Sequence, residues 1–402
     1  MFEKRYKRKQ EDFTRKRKIS FKDIILFELG TLKKTLALEI QDFTKRTDKK
    51  EFSKQAYSEA REKVEKELNE DIVEGTYEGE YKKYEGYAIL AIDGSTIPLP
   101  NTKKLREEYG ASKNQTETEG AIGRIGIIYD VINEIVLDGE ITRYDEGEKE
   151  TAEKLINIAT RIPKSIILMD RGYPTVRLMK LLNDINIKYV IRLPKKFMKE
   201  TNKFVEENKE DENIEMDIKK SRKIRGITTE FKLGIRCIRV EIETGYEYLA
   251  TNLSKEELGH DKFKELYNKR WKIETNYNIM KNVLELGNFT GETSTAIKQD
   301  FYATIYLNNV ANIAINEAQE EYDKKVKKAT KHKYKINRSV AIGHLKRNLI
   351  EIYLCDSPIK RRTMLKSIFK DIQNNVLPER KNRQYNRNDR RVKFGRSCKR
   401  VL

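Results

Sequence analysis

Between residues 87 and 194 the chain alternates short apolar runs with amphipathic stretches, and this alternation constrains the fold more than any other feature. "YAILAIDG" is an apolar run of strand length, and Gly94 is expected to end it. "AIGRIGIIYDVIN" and "EIVLDGEITR" read as two further strands of an antiparallel meander. "EKETAEKLINIATRI" reads as a helix, "KSIILMDRGYP" as a fully apolar strand stopping at Asp170, "VRLMKLLNDI" as a helix and "KYVIRLP" as a last strand. Three strands, then helix, strand, helix and strand predict an α/β mixed sheet with helices packed on it.

Both flanks read differently. The first 84 residues are expected to be helical, with "ISFKDIILFELG", "LALEIQDFTK" and "SKQAYSEAREKVEKEL" as helices and Ser53 as an N-cap. Two readings stay open there. One is a helix-turn-helix-like module whose Ser53 helix presents Gln55, Ser58 and Arg61 to DNA; the other is a plain helical bundle. From Glu206 to Leu249 the rhythm becomes β-rich after the acidic "EENKEDENIEMD", as in a strand-rich insertion. A helix is predicted from about Lys262 to Leu286, followed by "FYATIYLNNVANIAINEAQEEYDKK" and "SVAIGHLKRNLIEIYL" as further helices. The tail from Arg380 is dominated by Lys and Arg and suits nonspecific phosphate binding.

Charge narrows the function classes. The 402 residues carry a formal net charge of +19, which points to a polyanionic partner. No apolar run approaches the roughly 20 residues of a membrane span, and the basic N-terminus lacks the apolar core of a secretory signal. Cys237, Cys355 and Cys398 are few and widely spaced, which predicts a reducing compartment and no disulfide framework. With only three histidines, a zinc site has no ligand set, so a metal here would be held by oxygen.

Three acids could do such chemistry. Asp93 and Asp170 each close an apolar run, and neighbouring strand ends bring such side chains together. The third lies in "YNKRWKIETNYNIMK", residues 267–281. On an ideal helix Tyr267, Arg270, Glu274 and Lys281 share one stripe, beside an apolar stripe of Phe263, Leu266, Ile273, Tyr277, Met280 and Leu284. A simple i,i+4 pair would account for Arg270 and Glu274 but leaves Tyr267 and Lys281 unexplained. Three carboxylates in one cleft raise one another's pKa. A divalent cation relieves that repulsion, with Mg²⁺ needing few protein oxygens because phosphate and water complete its shell. Tyr267, Arg270 and Lys281 would then hold flanking phosphates.

Tyr, two residues, Arg, three residues, Glu, six residues, Lys resembles the YREK signature of bacterial insertion-sequence DDE transposases, family four. "AIDGSTIPLP" around Asp93 and "ILMDRGYPT" around Asp170 are similar to that family's aspartate blocks, as are "YVIRLP", "LATNL" and "FTGETSTAIKQDFYA". The resemblance spans about residues 20–345 and implies a ribonuclease H-like mixed-sheet core with a β-rich insertion and helical flanks. The corresponding division is 1–84 (helical, DNA-binding), 85–196 (core), 197–250 (insertion), 251–345 (core with the Glu helix) and 346–402 (helical basic region and tail).

By the same resemblance Asp93, Asp170 and Glu274 are catalytic and hold Mg²⁺, for which Mn²⁺ can substitute. Tyr267, Arg270, Lys281 and Arg171 contact DNA. The implied reaction is cut-and-paste transposition through a hairpin. The implied partners are double-stranded DNA at the terminal inverted repeats and the target, with a homodimer in the synaptic complex, no membrane, and a cytoplasmic, nucleoid-associated location in a prokaryote. One departure stands out: the family's base-stacking Trp belongs in the insertion, whereas the only Trp here is Trp271, leaving Phe231 or Tyr246 for that task. The alternatives are a domesticated nuclease of the same fold, which shares the site, and a non-catalytic DNA-binding relic.

Overall fold

A computed structural model describes residues 5–15, 17–31, 33–64, 71, 75–76, 81–113, 119–219, 229–243, 245–325 and 333–379. The tail from Arg380 and the end of the expected Ser53 helix lie outside the described residues. The chain divides into two compact units, Met1–Glu78 with Thr96–Gly123 and Asn278–Leu402, and Gly79–Ser95 with Arg124–Tyr277.

The first unit opens with α1 (Phe21–Gly30), α2 (Leu36–Thr47) and α3 (Lys54–Arg61). Ser20 caps α1 reciprocally with Asp23, a capping box that satisfies two otherwise orphaned donors. Ser53 accepts from the Ala56 N–H and caps α3 as expected. Apolar faces of these helices meet in a cluster that includes Ile24, Phe27, Ile40, Phe43, Phe52 and Tyr57. Arg61, expected to face DNA, is instead 1% exposed. Its Nε donates to Gln299, its Nη1 to Thr290, and its Nη2 to the Ala296 carbonyl and to Asp300. With Glu28 3.6 Å away, the guanidinium is the hub of a buried polar network. Gln55 and Ser58 do lie on the exposed side of α3.

The sheet lies mostly in the second unit, although residues 96–123 and 278–282 of the elements that follow belong to the first. In chain order come β1 (Ala88–Pro98), α4 (Lys103–Tyr109), β2 (Ala111–Lys113), β3 (Glu119–Asp130), β4 (Ile135–Arg143), α5 (Glu148–Ala159), β5 (Ser165–Met169), α6 (Val176–Asp184) and β6 (Lys188–Arg192). Then follow α7 (Lys199–Glu206), β7 (Asp211–Ile218), β8 (Phe231–Ile242), β9 (Gly245–Thr251), α8 (Phe263–Asn268) and α9 (Trp271–Asn282). The strand order is β2–β3–β1–β5–β6–β9–β8–β7, with β4 also paired to β3. β1, β5 and β6 run parallel, and their near-continuous apolar text reflects burial on both faces; every residue of β5 is buried. The β-rich segment continues this sheet, with β9 antiparallel to β6, β8 to β9 and β7 to β8. This is the expected mixed sheet with helices packed on it, extended by the β-rich segment and flanked by helices.

Helix α5 lies close over the sheet at Gly126, where a Cβ would come within 2.6 Å of the Thr151 methyl. A side chain there would force strand and helix apart. The rest of the first unit is α10 (Ser294–Lys325), β10 (Tyr334–Ile336), α11 (Arg338–Leu354), α12 (Pro358–Asn374) and β11 (Val376–Pro378). β10 and β11 pair antiparallel, and β2 pairs antiparallel with the first residues of β3. Among the described residues no helix is long and apolar enough to cross a membrane.

Candidate functional site

β1 and β5 are neighbours in parallel register, with Ala91 opposite Leu168. The same register carried two residues further sets Asp93 level with Asp170, on strands about 4.8 Å apart. Asp170 follows β5 directly. Asp93 does not end its strand as expected: β1 runs on through Gly94 to Pro98. The fully buried run ends at Ile92; Asp93 opens a half-buried stretch to Thr96, and Ile97 is buried again. Gly94 therefore marks a close approach and not a strand end, since a Cβ there would lie 3.1 Å from the Glu148 Cγ.

Both aspartates are fixed by short local bonds. Asp93 Oδ1 accepts from the Gly94 N–H at 2.9 Å, and Asp170 Oδ1 from the Arg171 N–H at 2.5 Å. These bonds orient one oxygen of each carboxylate.

The signature helix is not one continuous helix. A 3₁₀ turn at His260–Lys262 leads into α8, and α9 starts afresh at Trp271. Between them Lys269 N–H bonds the Leu266 carbonyl, Arg270 the Tyr267 carbonyl, Lys272 the Lys269 carbonyl and Ile273 the Arg270 carbonyl. Such three-residue bonds wind the chain more tightly than an α-helix, so residues before the junction no longer fall on the straight stripe that ideal geometry predicts. The apolar stripe holds: Phe263, Leu266, Ile273 and Met280 are fully buried, with Tyr277 and Leu284 nearly so.

Two tyrosines tie this segment to the acid-bearing strands. Tyr267 donates to the Met169 carbonyl at 3.4 Å, one residue before Asp170, and Tyr277 donates to the Asp93 carbonyl at 2.7 Å. Glu274 lies between them in sequence, and its charge reaches Asp93. Tyr267 is 3% exposed, so its hydroxyl braces the β5 end here instead of facing solvent as a phosphate contact would.

Arg270 too is buried. It is 2% exposed and pairs with Glu274, Nη2 to Oε1, at 3.1 Å. Its guanidinium lies 4.6 Å from the Trp271 ring centroid, a cation–π distance. Burial works against its charge, but Tyr267, Asp170 and Glu274 together raise its pKa. The local i,i+4 pair with Glu274 is thus present. Arg171, beside Asp170, is exposed. Lys281 donates to the Thr96 carbonyl at 2.7 Å.

Burial raises the pKa of Asp93 to about 6; the Gly94 N–H and Arg270 oppose that shift, while Glu274 and Glu148 add to it. Glu148 escaped sequence reading, because an acid in the first turn of a helix ordinarily signals only a favourable dipole interaction. Tyr277 escaped it as one apolar-stripe residue among several. Among the described residues no three His, Cys, Asp or Glu side chains converge tightly enough to hold a metal ion. The donor set nonetheless suits a hard cation, because its groups are carboxylates. Mg²⁺ uses one or two carboxylates and takes its remaining ligands from water and phosphate.

Phe231 and Tyr246 each sit beneath a cation, Lys180 at 5.1 Å and Arg239 at 4.6 Å from the ring centroids. Tyr246 and Trp271 are about half exposed, at 50% and 47%.

No curated protein matches the chain. Among solved structures it is similar to a chain in the cryo-EM structure of the piggyBac transposase synaptic complex with hairpin DNA. Identity is 10%, coverage is 87% of this chain and 74% of that one, and the TM-score is 0.43. Residues 84–308, more than half of the 402, match the family described as transposase DDE domain. The chain belongs to the transposase DDE-domain family.

Proposed function

We propose that this transposase is encoded by an insertion sequence of the YREK type and cuts and rejoins double-stranded DNA at Asp93, Asp170 and Glu274. The observation that carries the reading is the parallel register of β1 and β5, which, extended two residues past Ala91 and Leu168, brings Asp93 and Asp170 to the same level, with Glu274 on α9, the helix that Tyr277 ties to Asp93. In the first step water attacks the phosphorus at the transposon end; the P–O3′ bond breaks and leaves a free 3′-hydroxyl and a 5′-phosphate. In strand transfer that hydroxyl attacks a second phosphodiester, and one P–O bond forms as another breaks.

Asp93, Asp170 and Glu274 would hold Mg²⁺ or Mn²⁺, which when bound activates the attacking oxygen and stabilises the leaving one. Arg270 orients Glu274 through the bond from Nη2 to Oε1. The exposed Arg171 is the best-placed phosphate contact beside the acids, and Lys281 is a further one. The hairpin route needs an aromatic to stack a displaced base, and the exposed ring of Tyr246 suits it better than the half-buried ring of Phe231. The assembly would be a homodimer on paired inverted repeats, in a prokaryotic cytoplasm.

The test is single-turnover cleavage and joining of a duplex carrying the element's terminal repeat. Asp93→Ala, Asp170→Ala and Glu274→Ala should each abolish both reactions and leave duplex binding intact. Cleavage without joining by the wild type would favour a nuclease instead. Substantial cleavage by any one variant would remove that residue from the site.

A further inference from the structure

Helix α12 buries little of itself. Its buried residues are Ile368 and Ile372, and the helix packs against α10 and α11. Gln373 fixes its end to α10, accepting from Lys325 at 3.0 Å and donating to Glu321 at 2.5 Å. "PIKRRTMLKSIFKDIQN" holds five Lys or Arg and a single acid. That acid, Asp371, lies 3.9 Å from His344 of α11. At about 100° per residue, Arg362, Lys366 and Lys370 share one row on the opposite side, and all three are exposed. Among the described residues their side chains have no ion-pair partner, whereas Lys180, Lys203 and Lys269 each pair with an acid four residues away. Helix stability does not account for the row. Lys360, Arg361 and Arg362 crowd the start of α12, with no acid in its first turn and no base in its last, the reverse of what the helix dipole favours.

We propose that this outward face of α12 binds the phosphate backbone of duplex DNA without reading its sequence, through Arg362, Lys366 and Lys370. Charge complementarity selects the partner. Successive cations are four residues apart, about 6 Å along the helix axis. One strand of a duplex presents a phosphate about every 3.4 Å of its axis, so the pitch of the row is close to two nucleotides. A second copy of the chain fits less well, because a two-fold contact sets a patch against itself and would oppose cation to cation. An acidic membrane would need a broad apolar face free to enter the lipid. Ile368 and Ile372 are packed inside the protein, and Ile359, 80% exposed, is one residue beside the cations. A single strand would need exposed rings for its bases to stack on, and the helix's one aromatic, Phe369, is half-buried. The proposal concerns binding alone and does not rest on the cleavage chemistry of Asp93, Asp170 and Glu274.

The experiment is fluorescence anisotropy of the full chain on a random-sequence duplex across a range of salt concentrations. Each lost phosphate contact flattens the log–log salt slope by about 0.9. Arg362→Ala, Lys366→Ala and Lys370→Ala together should flatten it by about 2.7 and weaken binding about tenfold or more at about 0.1 M salt. Arg362→Lys keeps the charge and should keep the slope. A control combines Lys103→Ala, Lys203→Ala and Lys232→Ala, whose cations pair with Glu107, Glu207 and Glu215. It removes the same charge and should change the slope by less than about 0.9. All six replaced side chains are exposed, so thermal unfolding should not move. If the triple variant at α12 nevertheless fails to fold, Lys366→Gln and Lys370→Gln made singly should each flatten the slope by about 0.9. An unchanged slope overturns the proposal, and so does an equal loss in the control, which would reduce the effect to net charge. A loss confined to one duplex sequence would make the face a sequence reader and overturn it too. So would unchanged duplex binding with loss of binding to phosphatidylserine vesicles, which would assign the face to a membrane.

Discussion

The Tyr277 hydroxyl donates to the main-chain carbonyl of Asp93 at 2.7 Å, so α9 is tied to β1 at the acid itself. Tyr267 makes the matching bond to Met169 at 3.4 Å. The shorter bond should matter more. Tyr277→Phe keeps the ring in its buried place and removes one hydrogen bond, with a net cost of about 1 kcal/mol. Urea unfolding should report that loss, and single-turnover cleavage should slow about tenfold with an unchanged metal requirement. Tyr267→Phe should have the smaller effect. Wild-type cleavage by Tyr277→Phe would show that the tie does not position Glu274.

Arg270 gives a sharper test, because the chain's only Trp lies under it. Arg270→Ala removes the partner of Glu274 and the cation on the indole face, and opens a void in a buried position. Losing the charged hydrogen bond costs on the order of 1.5–3 kcal/mol, so cleavage should fall about 10- to 150-fold. Trp271 emission should shift in the same variant. Arg270→Lys should recover activity only partly, since an ammonium can reach Glu274 but cannot stack flat on the ring. A pure loss of DNA affinity, with Trp271 emission and cleavage of bound duplex unchanged, would restore Arg270 as a phosphate contact.

The core was legible where the text was long and periodic. Parallel buried strands read as apolar runs, so β5 and β6 and the helix α6 between them follow from sequence. What failed was local. Gly94 reads as a terminator, yet it is extended and serves a close approach to Glu148 from a helix more than fifty residues on, a contact that no local pattern encodes. The break at residues 269–270 was invisible, because nothing in "YNKRWKIE" is a helix breaker and tertiary anchoring of Tyr267 overrides propensity. Arg61 sits on a short amphipathic helix where an exposed cation is the ordinary expectation; its buried partners Thr290, Gln299 and Asp300 are more than 200 residues away.

That network predicts a stability effect where sequence alone suggested DNA contact. Arg61→Ala would leave Asp300 and Glu28 buried without their cation, and breaking such a pair by removing one partner costs about 3–5 kcal/mol. Denaturant unfolding should show a loss of that order, or soluble yield should collapse. Gln55→Ala and Ser58→Ala, on the exposed side of α3, should leave stability within about 0.5 kcal/mol. An Arg61→Ala protein of wild-type stability that no longer bound the terminal repeat would reverse the assignment.

Asp93 makes the last prediction, and its sign follows from the direction of its shift. Burial, reinforced by Glu274 and Glu148, raises its pKa to about 6 from an ordinary 3.8. The folded chain therefore binds a proton more tightly than the unfolded chain between about pH 4 and pH 6. Stability contributed by this group falls as pH rises through that window and stays low above it. Asp93→Asn removes the titration and keeps the shape, so the variant should be more stable than the wild type at pH 7.5 and lose that advantage near pH 4. A shift of this size, discounted for partial solvent screening, corresponds to roughly 1–2 kcal/mol. Urea unfolding of both proteins at the two pH values, in chelator, checks it. Adding Mg²⁺ should then narrow the gap at pH 7.5, because a cation bound to the folded wild type stabilises it by mass action. Equal stability of the two proteins at pH 7.5 in chelator would mean that burial does not penalise the Asp93 carboxylate in the folded chain, and the raised pKa would be refuted.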